Sequence, residues 1–126
     1  MLAPLGKLAH ERQSLLQGLG AFNVIHLEHA ESIVSAAEQT GEPVILQISQ
    51  NAVKFHDGYL KPLALGTMAI AMNSSARVGV HLDHANDLGL IREAIDLGFT
   101  SIMYDGSHLP DDENRAVTAQ VAHWCH

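Results

Sequence analysis

VGVHLDH, residues 78–84, is a short apolar run that ends in two imidazoles and a carboxylate. Such a run predicts a buried β-strand, and a strand that stops there presents His81, Asp83 and His84 at its C-terminal tip. Imidazole suits a borderline metal such as zinc. A carboxylate beside the metal can move protons while the metal holds developing negative charge. The stretch therefore predicts a metal-assisted acid/base site at the end of a strand.

Three more apolar runs surround this strand, and helical patterns follow each of them. The predicted strands cover residues 21–25, 44–49, 77–83 and 100–105. The first helix between strands repeats apolar residues at i, i+3, i+4 and i+7 and ends at Gly41, with Pro43 just beyond. Another helix, with an apolar stripe that runs to Leu15 and Leu16, precedes the first strand. Residues 51–59 are predicted to be irregular.

Four successive strand–helix units with apolar strands indicate an α/β fold with a parallel sheet. One candidate is an open, doubly wound sheet. The other is a (β/α)8 barrel, which needs about 250 residues, so this chain would supply only the first four β/α units. No glycine-rich G-x-G-x-x-G motif follows a strand, which gives a dinucleotide fold no support. In both architectures functional groups gather at the carboxyl ends of strands, which here carry Asn23, Ser49, Asp83 with His84, and Asp105.

Composition limits the class of protein and its partners. The 126 residues, 47% of them apolar, suit one domain over residues 1–126. Seven basic against fourteen acidic residues give a charge of −7, which argues against nucleic acid or an anionic membrane as a partner. A single cysteine, Cys125, allows no intramolecular disulfide and fits a reducing compartment. No stretch has the length of a membrane span, so we expect a soluble, cytoplasmic protein.

Three motifs occur along the chain in order: GAFNV at residues 20–24, HLDHA at residues 81–85, and SIMYDGSHLP at residues 101–110, followed by Glu113 and Asn114. Together they resemble the metal-dependent class II ketose-bisphosphate aldolases, a family that includes the fructose- and tagatose-bisphosphate enzymes. The family fold is a (β/α)8 TIM barrel. The resemblance therefore favours the barrel over the open sheet, with this chain as the N-terminal half of an aldolase barrel.

The resemblance implies reversible aldol cleavage of a ketose 1,6-bisphosphate, fructose or tagatose, to dihydroxyacetone phosphate and glyceraldehyde 3-phosphate. Zinc (Zn²⁺) would polarise the ketone and hydroxyl oxygens and stabilise the enediolate left when the carbon–carbon bond breaks. By the same resemblance, His84 is a zinc ligand and Asp83 is the acid/base that exchanges a proton with the aldehyde-derived oxygen. Their adjacency suits this chemistry, because metal and proton donor must reach one substrate.

The resemblance also suggests roles for the polar residues around this pair. Asp105 matches the acidic ligand of an alternative or second divalent metal position, and Ser49 matches a residue that binds the phosphorylated aldehyde. Asn23 is expected to be a hydrogen-bonding group near the site, and His81 an orienting group behind the ligands. The sequence departs from the family after Ser49, where residues 50–51 (QN) replace the small, glycine-rich residues of relatives.

One histidine cannot hold a catalytic zinc ion, since three protein ligands are the norm. The 126-residue chain alone is therefore expected to be inactive, and the complete protein to act on a phosphorylated sugar as a homo-oligomer, a dimer or tetramer. A non-catalytic half-barrel that self-associates is the alternative, because half a barrel has two open edges. Another metal-dependent barrel enzyme, such as a hydrolase, is less favoured because no His-x-His pair lies on the first strand. Lys54 and Lys61 lie beyond the second strand, which disfavours Schiff-base chemistry.

Overall fold

The computed structural model describes residues 1–126 and contains six helices and four strands. In chain order these are α1 (Leu5–Ser14), β1 (Gly20–Asn23), α2 (Leu27–Thr40), β2 (Val44–Ser49), α3 (Gln50–Phe55), α4 (Leu60–Asn73), β3 (Val78–Ala85), α5 (Leu88–Asp96), β4 (Ser101–Tyr104) and α6 (Asp111–Cys125). None of the helices has both the length and the apolar character that a membrane crossing requires.

The four strands form one parallel sheet in the order β1-β2-β3-β4, so each strand pairs with its neighbour in sequence. A doubly wound sheet instead reverses its strand order at a switch point and carries helices on both faces. Alternate residues of β2 and β3, such as Leu46, Val80 and Leu82, point into the main core with α2, α4, α5 and α6. The sequential order and this one helical layer are those of successive β/α units in a barrel.

The opposite face of the sheet carries only a small apolar cluster near its N-terminal edge. Ile45 of β2 packs there with Ala3 and Leu8, and all three are buried. The Ala3 amide donates to the Val78 carbonyl at 2.8 Å, which attaches the segment before α1 to β3. Gly79 faces the same cluster, where a Cβ would lie 2.6 Å from Ile45 Cδ1. The segment around α1 therefore covers the end of the sheet opposite the predicted site.

Two sequence predictions are wrong in this region of the fold. Residues 50–55 form helix α3, not irregular chain, because the Ser49 hydroxyl caps the helix by accepting from the Ala52 amide at 3.1 Å and Ala52 is buried. The opening helix ends at Ser14, before Leu15 and Leu16, which are 61% and 96% exposed. Leu16 has a positive φ of 55°, which a helix cannot continue.

Thr67 of α4 offers a test of the core. Its side chain is fully buried, and its Oγ1 has no hydrogen-bond partner. Because an unpaired buried hydroxyl is costly, Thr67→Val, which keeps the shape, is expected to raise the free energy of unfolding by about 1 kcal/mol. Thr67→Ser, which keeps the hydroxyl and loses a methyl, should lower it by about 1 kcal/mol. Urea denaturation measures both changes, and destabilisation by Thr67→Val would show that the hydroxyl is paired.

Candidate active site

The predicted site residues lie at the carboxyl edge of the sheet. Asn23 ends β1, Ser49 ends β2, Asp83 and His84 lie near the end of β3, and Asp105 follows β4. The strand register pairs Ser49 with Asp83, so these two residues are direct neighbours. Asn23 pairs with Gln47, two residues before the end of β2, and is exposed on the edge strand. The fold thus brings Ser49, Asp83, His84 and Asp105 together, with Asn23 further from them.

A β-bulge interrupts the regular alternation of side chains at His84. The pairing of β3 with β4 shifts between Leu82 and Ala85, and His84 has φ = +47°. In a regular strand, residues 83 and 84 would point to opposite faces of the sheet, and a bulge re-aims the extra residue. A positive φ at a non-glycine residue costs on the order of 1–3 kcal/mol and is concentrated at functional sites.

His84 and Asp105 form a hydrogen-bonded pair across β3 and β4. His84 Nδ1 lies 2.8 Å from Asp105 Oδ2, and the Ser107 amide donates to Asp105 Oδ1 at 3.1 Å. The His84 side chain is 61% exposed and that of Asp105 is 26% exposed. With Nδ1–H donating to the carboxylate, the Nε2 of His84 is left free to bind a ligand. A carboxylate behind an imidazole in this way orients a metal-binding histidine.

These contacts shift the pKa values of both groups in opposite directions. The hydrogen bond to Asp105 raises the pKa of the His84 imidazole, and the charge of Asp83 raises it further. Hydrogen bonds from Ser107 and His84 hold the pKa of the Asp105 carboxyl well below its ordinary value. The pairing therefore favours the protonated form of His84 and the ionised form of Asp105.

Asp83 shares a more enclosed environment with His81. The two side chains are 13% and 12% exposed, and His81 Nε2 lies 3.7 Å from Asp83 Oδ1. His81 Nδ1 is hydrogen-bonded with the Ser101 hydroxyl at 2.7 Å, which fixes the ring. Burial lowers the pKa of His81 despite the opposing charge of Asp83. A carboxylate beside a fixed, neutral imidazole is suited to proton transfer.

The residues of this chain do not complete a catalytic zinc site. No group of three or more His, Cys, Asp or Glu side chains is placed to hold a metal ion. His84 and Asp105 have the donor atoms that zinc binds, but a catalytic site needs three protein ligands. The chemistry of these donors fits zinc and their number does not, so the chain can contribute only part of a ligand set.

Three residues that support the site were given no role by the sequence. Ser101 fixes His81, and Ser107 fixes Asp105. Gln50 hydrogen-bonds the loop that follows β3, 36 residues away in sequence. The sequence marked Gln50 only as a departure from the family directly after Ser49. The three lysines lie on α1, α3 and α4, and none lies on a strand.

The His84–Asp105 pair predicts a pH dependence that NMR can measure. In metal-free protein the His84 imidazole should titrate above its ordinary pKa of 6.5. Asp105→Asn should lower that pKa toward the ordinary value, with Asp83 still holding it somewhat above. The imidazolium's contribution to stability is lost as pH rises through the raised pKa, and that of Asp105 is lost as pH falls through its lowered pKa. An unchanged His84 titration in Asp105→Asn would contradict the pairing.

Comparison with known proteins gives consistent matches. The family model described as class-II fructose-bisphosphate aldolase matches residues 6–126. The chain is 40% identical over 126 residues to the fructose-bisphosphate aldolase of Giardia intestinalis and 39% identical over 110 residues to that of Geobacillus stearothermophilus. The two alignments cover 99% and 86% of this chain, respectively, but only 38% of each relative. The chain thus spans well under half the length of these curated relatives.

Solved structures match the whole fold at lower sequence identity. The YdjI aldolase from Escherichia coli K12 matches with a TM-score of 0.90 at 23% identity, over 98% of this chain and 48% of that one. The fructose-bisphosphate aldolase of Campylobacter jejuni matches with a TM-score of 0.69 at 23% identity, over 93% of this chain and 42% of that one. This likeness confirms the predicted fold, four β/α units of a TIM barrel.

Proposed function

Because this chain belongs to the class-II fructose-bisphosphate aldolase family, we propose that it carries the acid/base group of a metal-dependent aldolase. The complete protein would reversibly cleave fructose 1,6-bisphosphate, or its C4 epimer tagatose 1,6-bisphosphate, to dihydroxyacetone phosphate and glyceraldehyde 3-phosphate. One observation supports this most: Asp83, 13% exposed beside a neutral imidazole, lies next to the His84–Asp105 pair at the carboxyl edge of the sheet.

Asp83 is the proposed proton carrier. In the cleavage direction its carboxylate takes the proton of the C4 hydroxyl as the C3–C4 bond breaks, which leaves an aldehyde at C4. The electron pair of that bond passes to C3 and the neighbouring ketone as an enediolate, which becomes dihydroxyacetone phosphate when C3 takes up a proton. In the reverse direction the protonated Asp83 returns its proton to the aldehyde oxygen. His81, fixed by its hydrogen bond with Ser101, lies 3.7 Å from this carboxylate.

His84 is the proposed zinc ligand of this chain, through the Nε2 that its hydrogen bond to Asp105 leaves free. A bound zinc ion would polarise the ketone and hold the negative charge that develops on its oxygen. The other protein ligands would come from outside residues 1–126. Asp105 would orient His84, and we propose that it also supplies an oxygen to an alternative or second metal position.

Ser49 and Asn23 are the proposed substrate-binding residues. The Ser49 hydroxyl accepts from the Ala52 amide, which leaves its proton free to donate to a phosphate oxygen of the aldehyde half. Ser49 pairs with Asp83 across the sheet, so one end of the substrate would lie over both residues. Asn23 is exposed on β1 and would donate a hydrogen bond from the edge of the site.

An assay of the complete protein tests the proposed reaction. Cleavage of fructose 1,6-bisphosphate can be measured by coupling it to reduction of the triose phosphate product. This activity should stop when the metal is chelated and return when zinc is added. Borohydride with substrate should leave no adduct on the protein. Activity that survives chelation and is trapped by borohydride would assign the reaction to a lysine. Tagatose 1,6-bisphosphate in the same assay identifies the preferred epimer.

A non-catalytic, self-associating half-barrel is the second candidate, and the exposed edge of the sheet favours it. All four residues of β1 are exposed, including Phe22 at 52%. An open apolar edge is a template for pairing with another strand. Size-exclusion chromatography of the 126-residue chain, together with the cleavage assay, distinguishes the two proposed functions. A folded homodimer without aldolase activity supports the half-barrel, and cleavage by the complete protein supports the aldolase.

We propose further that residues 1–126 form one unit of a larger barrel domain, and that the complete protein is a dimer or tetramer in the cytoplasm. The free, exposed Cys125 is consistent with a reducing compartment. The negative charge of −7 gives no attractive surface for nucleic acid. The phosphorylated sugar is then the expected partner, and the protein acts in carbohydrate metabolism.

A further inference from the structure

The Gln50 side chain links two loops at the carboxyl edge of the sheet. Gln50 is the first residue of α3, directly after β2. Its Oε1 accepts from the amides of Asn86 at 2.8 Å and Asp87 at 3.0 Å. Its Nε2 donates to Asn86 Oδ1 at 2.8 Å. We call this set of three hydrogen bonds the Gln50 clamp.

The Gln50 clamp fixes the chain immediately after the site residues of β3. Asn86 lies two residues beyond His84, whose positive φ makes this the strained part of the strand. On its other side the turn is anchored by Asp87, which caps α5 by accepting from the amides of Gly89 and Leu90 at 2.8 and 3.1 Å. The turn between the bulge and α5 is thus held by the Gln50 clamp from α3 and by the Asp87 cap on α5.

We propose that Gln50 is a positioning residue that holds Asp83 and His84 in register with Ser49. This inference rests on the proposed function, since it concerns the geometry in which the proton carrier and the metal-binding imidazole meet one substrate. Gln50 acts through residues 86–87 alone, by bonds from both backbone amides and a bond to the Asn86 side chain. It is partly buried, and all three of its hydrogen bonds go to that turn. Without these three hydrogen bonds, the strained bulge at His84 loses the restraint that Gln50 supplies.

Removal of the clamp should reduce turnover more than substrate binding. Gln50→Met keeps the length of the side chain and loses its polar atoms. We expect kcat to fall about 10- to 100-fold, the range for loss of groups that orient a metal ligand. KM should stay within about threefold, since no group proposed to contact the substrate is removed. Gln50→Asn, one methylene shorter, keeps the polarity but cannot reach both amides, and should lower kcat to a similar degree.

Two further variants separate positioning from general disturbance. Gln50→Glu keeps the acceptor for the Asn86 and Asp87 amides, and the Asn86 amide can rotate to donate to it. This variant should retain kcat within about threefold of the parent. Asn51→Met changes the exposed neighbour on the same helix and should leave kcat and KM unchanged. A purely structural role for residue 50 would not produce this pattern of loss and rescue.

Amide hydrogen exchange tests the clamp without any need for activity. The Asn86 and Asp87 amides should exchange at least about tenfold faster in Gln50→Met and Gln50→Asn, and at the parental rate in Gln50→Glu. If the parent protein cleaves no ketose bisphosphate, the proposed function fails and exchange alone decides the clamp. The inference is overturned if exchange is unchanged in Gln50→Met, or if its kcat equals that of Asn51→Met in an active protein.

Discussion

Asp83→Asn in the complete protein is expected to lower kcat for fructose 1,6-bisphosphate cleavage by roughly 10²- to 10⁴-fold, the contribution typical of a positioned acid/base group. An amide has nearly the shape of the carboxylate and cannot accept the hydroxyl proton. KM should change little, because the groups proposed to hold the phosphates remain. The His81–Ser101 hydrogen bond does not involve residue 83 and should also remain.

Steady-state kinetics measures this loss, and Asp57→Asn is the matched control. Asp57 is an exposed carboxylate in the loop after α3, with φ = +53°, a conformation that asparagine tolerates well. Its replacement removes the same charge from a position away from the site and should leave kcat unchanged. A kcat for Asp83→Asn within a few-fold of that of Asp57→Asn would remove Asp83 from the reaction.

His84→Asn is expected to abolish both stable zinc binding and cleavage. Asparagine tolerates the positive φ at this position, so the bulge can persist while the imidazole is lost. Loss of groups that merely orient a metal ligand costs 10- to 100-fold, so loss of the ligand itself should cost at least about 100-fold in metal affinity. Activity should fall with the bound zinc and should not return on addition of excess zinc.

Zinc per chain after dialysis, measured by atomic emission, tests this prediction alongside the cleavage assay. His108→Asn is the matched control, because His108 is an exposed imidazole in the loop between Asp105 and α6. That variant should retain the zinc and the activity of the parent. Retention of stoichiometric zinc by His84→Asn would place the metal on other residues.

Local patterns predicted the four strand–helix units because most of these strands and helices are specified by their own residues, and the family resemblance favoured the barrel over the open sheet. Residues 44–49 form β2 with the predicted bounds. A continuous apolar run of this length can be recognised as a buried strand from its own residues. Gly41 ends α2 in the left-handed conformation that glycine favours, φ = +72°. Parallel pairing then puts the polar residues after each apolar run at one edge of the sheet, as expected.

The details that set the site geometry depend on contacts between distant residues. The bulge at His84 appears only in the pairing of β3 with β4, while strand alternation would put Asp83 and His84 on opposite faces. The Gln50 clamp joins residues 36 apart. Helix α3 has only six residues, too few for a helical period to be recognised, and its one local signal was the capping serine, Ser49.

A crystal structure of the complete protein with zinc and a non-cleavable ketose bisphosphate analogue tests the central claim most directly. We expect zinc on the Nε2 of His84, with Asp105 still hydrogen-bonded to Nδ1, and the Asp83 carboxylate in hydrogen-bond contact with the C4 hydroxyl of the analogue. Zinc bound away from His84, or an analogue out of reach of Asp83, would contradict it.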